Sequence, residues 1–170
     1  MLKLMGALLL AGGAAAVGFS AAAGLNRRVR TLRVLLEALE LIEREISFQL
    51  TPMDQLLERL SKRTPPPAGG FFACCRAGLE QLGERSLAQI WREALAQNSM
   101  GLAQQELDTL AGLGDLLGRY DGAGQQEALA QVRLQLAQDL RQAEKDREKR
   151  GRMYRVLGVT AGAFLVIVLL

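Results

Sequence analysis

Histidine is missing from all 170 residues, which removes the commonest general base and the commonest metal ligand from any scheme of catalysis. Only two cysteines occur, Cys74 and Cys75, and they are adjacent. With no second Cys or His pair they cannot complete a zinc site, and they read as two small buried hydrophobes. Aromatic residues make up 5% of the chain, with Trp91 the single tryptophan, so there is no stacking platform for single-stranded nucleic acid. No P-loop, dinucleotide glycine motif or Gly-Xaa-Ser-Xaa-Gly element is present. No stretch shows strand alternation either. An enzyme is therefore not expected, and no catalytic, cofactor-binding or metal-binding residue is assigned.

What the chain has instead is two charge-free apolar runs, residues 4–25 and 156–170. At about 1.5 Å per residue the first would reach roughly 33 Å and the second about 22 Å, against a hydrocarbon core of about 30 Å. Both read as transmembrane helices, the second needing Met153, Tyr154 and a snorkelling Arg155 to complete it. Arg27, Arg28, Arg30 and Arg33 follow the first run; Lys145, Arg147, Lys149, Arg150, Arg152 and Arg155 precede the second. Basic residues mark the cytoplasmic flank, so residues 26–155 are expected in the cytoplasm and both termini outside. The competing reading is a cleaved signal peptide, with Lys3 as its n-region and an alanine-rich cleavage site. It would make the protein an exported, membrane-tethered helical binding module, but four arginines after the cleavage site oppose translocation.

The net charge of +3 comes from these flanks. Between Val34 and Glu144 acidic residues outnumber basic ones, so nucleic acid is not an expected partner. Anionic lipid headgroups account better for the arginine clusters.

The central part reads as all-α, an antiparallel helical bundle. Leu32, Leu35, Leu39, Ile42 and Ile46 repeat at helical spacing, with Glu37, Glu40 and Arg44 on other faces. Thr51-Pro52-Met53-Asp54 should start a helix ending near Arg63, with the threonine hydroxyl as cap. The run from Thr64 through three prolines to Gly69-Gly70 should stop it. Further helices are expected over 71–82, from a Ser86/Gln89 capping box, over 103–117, and from about Gly124 onward with Leu129, Val132, Leu136 and Leu140 inward. Asp146 with Arg150 and Glu148 with Arg152 are helical i,i+4 pairs. Gly158 and Gly162, and Ala14, Gly18 and Ala22, form small-residue faces suited to close helix packing, either between the two ends of one chain or with another copy. Glu106 and Asp108 are the carboxylates a small anchored enzyme would use, but two residues apart on a helix they face different ways.

Three stretches carry a family resemblance: Met1-Leu2-Lys3-Leu4-Met5-Gly6; Leu117-Gly118-Arg119-Tyr120-Asp121 followed by Gln125; and Met153-Tyr154-Arg155-Val156-Leu157-Gly158 running into Val166-Ile167-Val168-Leu169-Leu170. With Thr51-Pro52-Met53, and in this order over the whole chain, they resemble the stage III sporulation protein AB family of endospore-forming bacteria. The chain departs from the family pattern at Ala21-Ala22-Ala23-Gly24, where members carry more aromatic and charged residues. The resemblance implies a type II secretion F-like bundle, a platform or scaffold subunit of the channel joining mother cell and forespore. Its implied partners are a secretion-type ATPase like stage III sporulation protein AA, other membrane channel subunits and the lipid bilayer, with a homo-oligomer left open. The implied location is the mother-cell membrane facing the forespore. Asp121, Gln125, Glu37 and Glu40 are the contact candidates this leaves, and Gly18, Gly158 and Gly162 the helix-packing positions.

Overall fold

The computed structural model describes the backbone of residues 2–48, 51–119 and 122–169, and the side chains of these except residues 2–11, 14–15, 47–48, 118–119, 122–123, 155, 165–166 and 168–169. Six α-helices follow one another: α1 (Leu2–Phe48), α2 (Met53–Arg63), α3 (Ala68–Gly78), α4 (Leu87–Gln97), α5 (Gln104–Arg119) and α6 (Gly122–Leu169), with a short 3-10 turn, Leu79–Gln81, after α3. No β-strand occurs among the described residues. The all-α expectation therefore holds for the bundle.

The expectation of flanking transmembrane helices does not: among the described residues no helix is long and apolar enough to cross a membrane. In α1, the side chains of residues 4–11, 14 and 15 lie outside the described set. What remains ahead of Arg27 is short and dominated by glycine and alanine. In α6, residues 156–169 amount to about 21 Å of helix against a core of about 30 Å, and Gly158, Thr160 and Gly162 dilute their hydropathy.

The chain forms two compact units, one of residues Arg30–Leu140 and one of Met1–Val29 with Arg141–Leu170. In the first, the α1 stripe is buried as its spacing predicts: Leu32, Leu35, Leu39 and Ile42 lose nearly all exposure, and Ile46 is half-buried. Leu56, Leu57 and Leu60 of α2 and Ala128, Leu129, Val132 and Leu136 of α6 are also buried; Leu140 is half-buried. α2 packs on α3, α3 on α4, and α4 on α5.

The aromatic residues, scarce as they are, gather at one place. Phe71 meets Trp91 edge-on with centroids 4.8 Å apart, and Phe72 lies 5.0 Å from Phe71. Such tilted pairs align ring edges with ring faces, which the aromatic quadrupole favours. The indole N–H, which burial would otherwise leave unsatisfied, donates to the Leu110 carbonyl at 2.7 Å.

Several boundaries differ from expectation. Gly69 and Gly70 do not break the chain but sit in the first turn of α3, which starts at Ala68. A Cβ at Gly69 would lie 2.2 Å from the Thr64 carbonyl oxygen, so the glycine permits a close approach. α3 gives way at Gly78 to the 3-10 turn, short of the expected residue 82. The Ser86/Gln89 capping box forms in full, with Gln89 N–H donating to Ser86 Oγ at 3.3 Å and Ser86 N–H to Gln89 Oε1 at 3.0 Å. Thr51, by contrast, makes no cap for α2.

Within the second unit, a Cβ at Gly18 would come within 2.6 Å of the Tyr154 carbonyl oxygen and 3.2 Å of Gly158 Cα. Gly162, Ala22 and Ala143 are buried there as well. The two ends of the chain thus pack on each other through small residues, the intrachain alternative. Asp146 pairs with Arg150 at 3.5 Å and with Arg28 at 3.9 Å, while Glu148 and Arg152 are exposed.

Candidate functional site

The buried polar groups of the Arg30–Leu140 unit serve its own architecture. Glu45 keeps only 6% exposure; its carboxylate accepts from Arg59 Nη1 at 2.9 Å and from the Thr51 hydroxyl, which joins the end of α1 to α2. This explains the missing cap, since the Thr51 hydroxyl is turned to Glu45. Glu106, 1% exposed, accepts from the Ala103 N–H at 2.7 Å and so closes the start of α5. Asp108 is exposed and accepts from Gln104 Nε2 at 2.9 Å. The two carboxylates of the rival enzyme reading therefore do not converge. Thr31 donates to the Met100 carbonyl at 3.1 Å, and Arg133 of α6 bonds Glu43 of α1 at 2.6 Å.

The cysteines behave as hydrophobes. Cys75 is fully buried, and that burial, with Cys74 next to it, pushes its thiol well above the ordinary range. Half-buried Cys74 accepts from Asn98 Nδ2 at 3.3 Å. Among the described residues no group of three or more metal-ligating side chains could hold an ion.

A groove of about 240 Å³ runs beside α3 and α4, lined by Cys74, Gly78, Gln81, Arg85, Glu93 and Gln97. Its charges are internally matched, Arg85 meeting Glu93 at 2.6 Å. On the exposed side of α2, Glu58 receives Lys62 at 2.6 Å and lies 3.8 Å from Arg76. The hydrogen bond and charge of Lys62, then the charge of Arg76, hold this carboxyl below its usual range.

The surface is the more informative part. Glu37 and Glu40 are exposed on one face of α1, together with Arg30, Arg33 and Arg44. Gln125 stands apart from them at the start of α6, half-buried, with Nε2 donating to the Leu117 carbonyl at 3.0 Å; it closes the end of α5. Asp121 lies outside the described residues. In the other unit, Val17, Phe19, Val156, Leu157, Val159 and Phe164 are each more than half exposed, an amount of apolar surface that marks an interaction region. The Glu45–Arg59–Thr51 and Arg133–Glu43 bonds were not foreseeable, because their partners are 14, 6 and 90 residues apart and no short motif carries them.

Comparison with known proteins agrees with this architecture. Residues 3–170 match the family model described as stage III sporulation protein AB. The stage III sporulation protein AB of Bacillus subtilis (strain 168) is 28% identical over 172 residues, covering the whole of both chains. A solved structure of a stage III sporulation protein AB is similar over 71% of this chain and 96% of that one, with 26% identity and a TM-score of 0.65.

Proposed function

The chain belongs to the stage III sporulation protein AB family, and from that premise we propose that it is a non-enzymatic scaffold subunit of the channel between mother cell and forespore. In this role it links a cytoplasmic secretion-type ATPase to the membrane channel subunits. The observation that carries the reading is the family match over residues 3–170, which takes in both units. The build of the protein supports it. Its buried carboxylates, Glu45 and Glu106, are engaged in holding helix ends, as suits a part that transmits force without deforming. Nucleotide chemistry then belongs to the partner, and no cofactor is needed here.

Two surfaces of different chemistry suit two kinds of partner. The exposed charges of α1, Glu37 and Glu40 among them, offer the ATPase a polar face. The exposed Val156, Leu157, Val159 and Phe164 suit apolar channel subunits or lipid. We assign the work of residues 26–155 to the cytoplasmic side of the mother-cell membrane that faces the forespore, where the flanking arginines meet anionic headgroups.

Photo-crosslinking tests the coupling. A benzophenone amino acid is introduced at Glu37, Glu40 or Gln125 in sporulating cells, and the adducts are identified by mass spectrometry. A covalent adduct with a secretion-type ATPase from at least one position is expected. Adducts with other proteins only, or none in cells that sporulate normally, would overturn the coupling.

A further inference from the structure

We propose that the groove between the end of α2 and the start of α3 is a docking site for an acidic segment of a partner protein that carries an apolar side chain. The groove has a volume of about 480 Å³, and Pro65, Pro66, Gly70 and Ala73 form its apolar walls. All four are exposed, so these walls are open to an incoming chain. Lys62 and Arg63 line the same groove, and Arg76 follows one turn of α3 after Ala73.

The groove is held in shape by the core beneath it. Phe71 and Phe72, next to Gly70 in α3, are buried against Trp91. Gly69, with no side chain, lets the first turn of α3 close up on the Thr64 carbonyl. A surface formed in advance costs a ligand little ordering on binding.

Charge selects the occupant. From Arg59 to Arg76 the chain carries Arg59, Lys62, Arg63 and Arg76 and no aspartate or glutamate, although the Arg30–Leu140 unit as a whole is acidic. Arg59 is taken by Glu45. Lys62 and Arg76 share the carboxylate of Glu58, at 2.6 and 3.8 Å. Arg63 is exposed, with no carboxylate partner among the described residues. Lys62, Arg63 and Arg76 are thus balanced by a single carboxylate. The first turn of α3 brings the positive end of a helix dipole to the groove and offsets the negative end of α2 beside it.

The excess of positive charge is local, and that decides among anions. A nucleic acid or a lipid leaflet spreads its charge over an area wider than the groove and would also meet the acidic remainder of the unit. A free inorganic anion would gain nothing from walls of proline and alanine. A short acidic segment matches the few cations, and an aliphatic or aromatic side chain on it covers the apolar walls, giving an apolar centre with a polar rim. This surface is separate from the α1 charges assigned to the ATPase, and its failure would leave that reading untouched.

The test uses the purified full chain. A phage-displayed random peptide library is first depleted on Ala73→Trp, whose indole fills the groove, and then selected on the unaltered chain. The enriched peptides should be rich in aspartate and glutamate and carry at least one aliphatic or aromatic residue. A fluorescein-labelled copy of the most enriched sequence should bind the unaltered chain at least about tenfold more tightly than it binds Ala73→Trp or Arg63→Glu. Binding should weaken between about 0.05 M and about 0.5 M salt. Both substituted positions are exposed, and helical circular dichroism confirms folding. Should Ala73→Trp misfold, Lys62→Gln/Arg63→Gln takes its place in depletion and comparison.

Failure to enrich any peptide would overturn the proposal, as would enrichment of peptides without acidic residues. So would peptide binding that Arg63→Glu leaves unchanged. Phosphatidylglycerol vesicles that bind the chain and lose it on Arg63→Glu, with no peptide bound, would overturn it in favour of a lipid contact.

Discussion

Two glycines of α5, Gly112 and Gly114, should respond to the same substitution with opposite sign. An alanine at Gly112 meets nothing within 4 Å. There the usual advantage of alanine over glycine in a helix interior, about 0.5–1 kcal/mol, should appear as added stability. At Gly114 a Cβ would lie 2.6 Å from Trp91 Cγ, 2.7 Å from Cδ1 and 2.8 Å from Cβ. The indole cannot step aside easily: Trp91 is 1% exposed, its N–H is bound to the Leu110 carbonyl, and Phe71 abuts it edge-on. Overpacking a closed core costs about 1–3 kcal/mol. Set against the helix-propensity gain, Gly114→Ala should lose about 1–2 kcal/mol. In a domain of this size that lowers the midpoint by a few degrees, roughly 3–6 °C. Urea titration followed by Trp91 fluorescence reports directly on this core, because Trp91 is the single tryptophan. A companion change, Trp91→Leu, frees the space, so the penalty of Gly114→Ala should shrink in that background, where helical circular dichroism replaces fluorescence as the signal. Equal stability of the two alanine variants would refute the reasoning, and so would an undiminished penalty in the Trp91→Leu background.

Glu45→Gln should cost about 1–3 kcal/mol in urea titration, because it weakens the bonds to Arg59 and Thr51 in a nearly buried position. Adding Arg59→Gln should cost less than the two separate losses combined, and strict additivity would argue against a shared bond. With native protein, a maleimide should label Cys74 and spare Cys75 until urea is added, as burial raises the Cys75 thiol; mass spectrometry showing both modified in the folded state would contradict this. The Glu58 carboxyl is held low by Lys62 and Arg76, so its contribution is present above the unfolded carboxylate pKa and fades as pH falls through the lower folded one. Glu58→Gln should accordingly be slightly less stable than the parent at neutral pH, and the difference should vanish in acid; a difference that persisted there would point to packing.

How far local pattern reaches can be read from single residues. Spacing alone identified Leu32, Leu35, Leu39 and Ile42 as a buried face, and the Ser86/Gln89 pair as a capping box, because both follow from helical geometry within a few residues. The same logic ended α2 at Arg63, as the structure has it. It misread Thr51, whose hydroxyl turns from the expected cap to the Glu45 carboxylate brought in by the fold, and it left Gly69 in the break, whereas the structure places it in the first turn of α3. The apolar ends show another limit. A charge-free run is a statement about composition, whereas spanning a bilayer also needs length and sustained hydropathy, which no described helix provides.

The sequence by itself determined the helical class, the order of the elements and the membership in a family, since periodicity, caps and motif order are properties of neighbours along the chain. Only the tertiary structure decided that Trp91 is locked between Phe71 and Gly114, and that Glu45 and Glu106 hold helix ends and do not form a reactive pair. It alone showed the five charges of α1 exposed as one continuous face. The reason is physical: burial and pairing depend on which distant segments meet. A glutamate six residues from a threonine carries no mark of that meeting until the chain has folded around both.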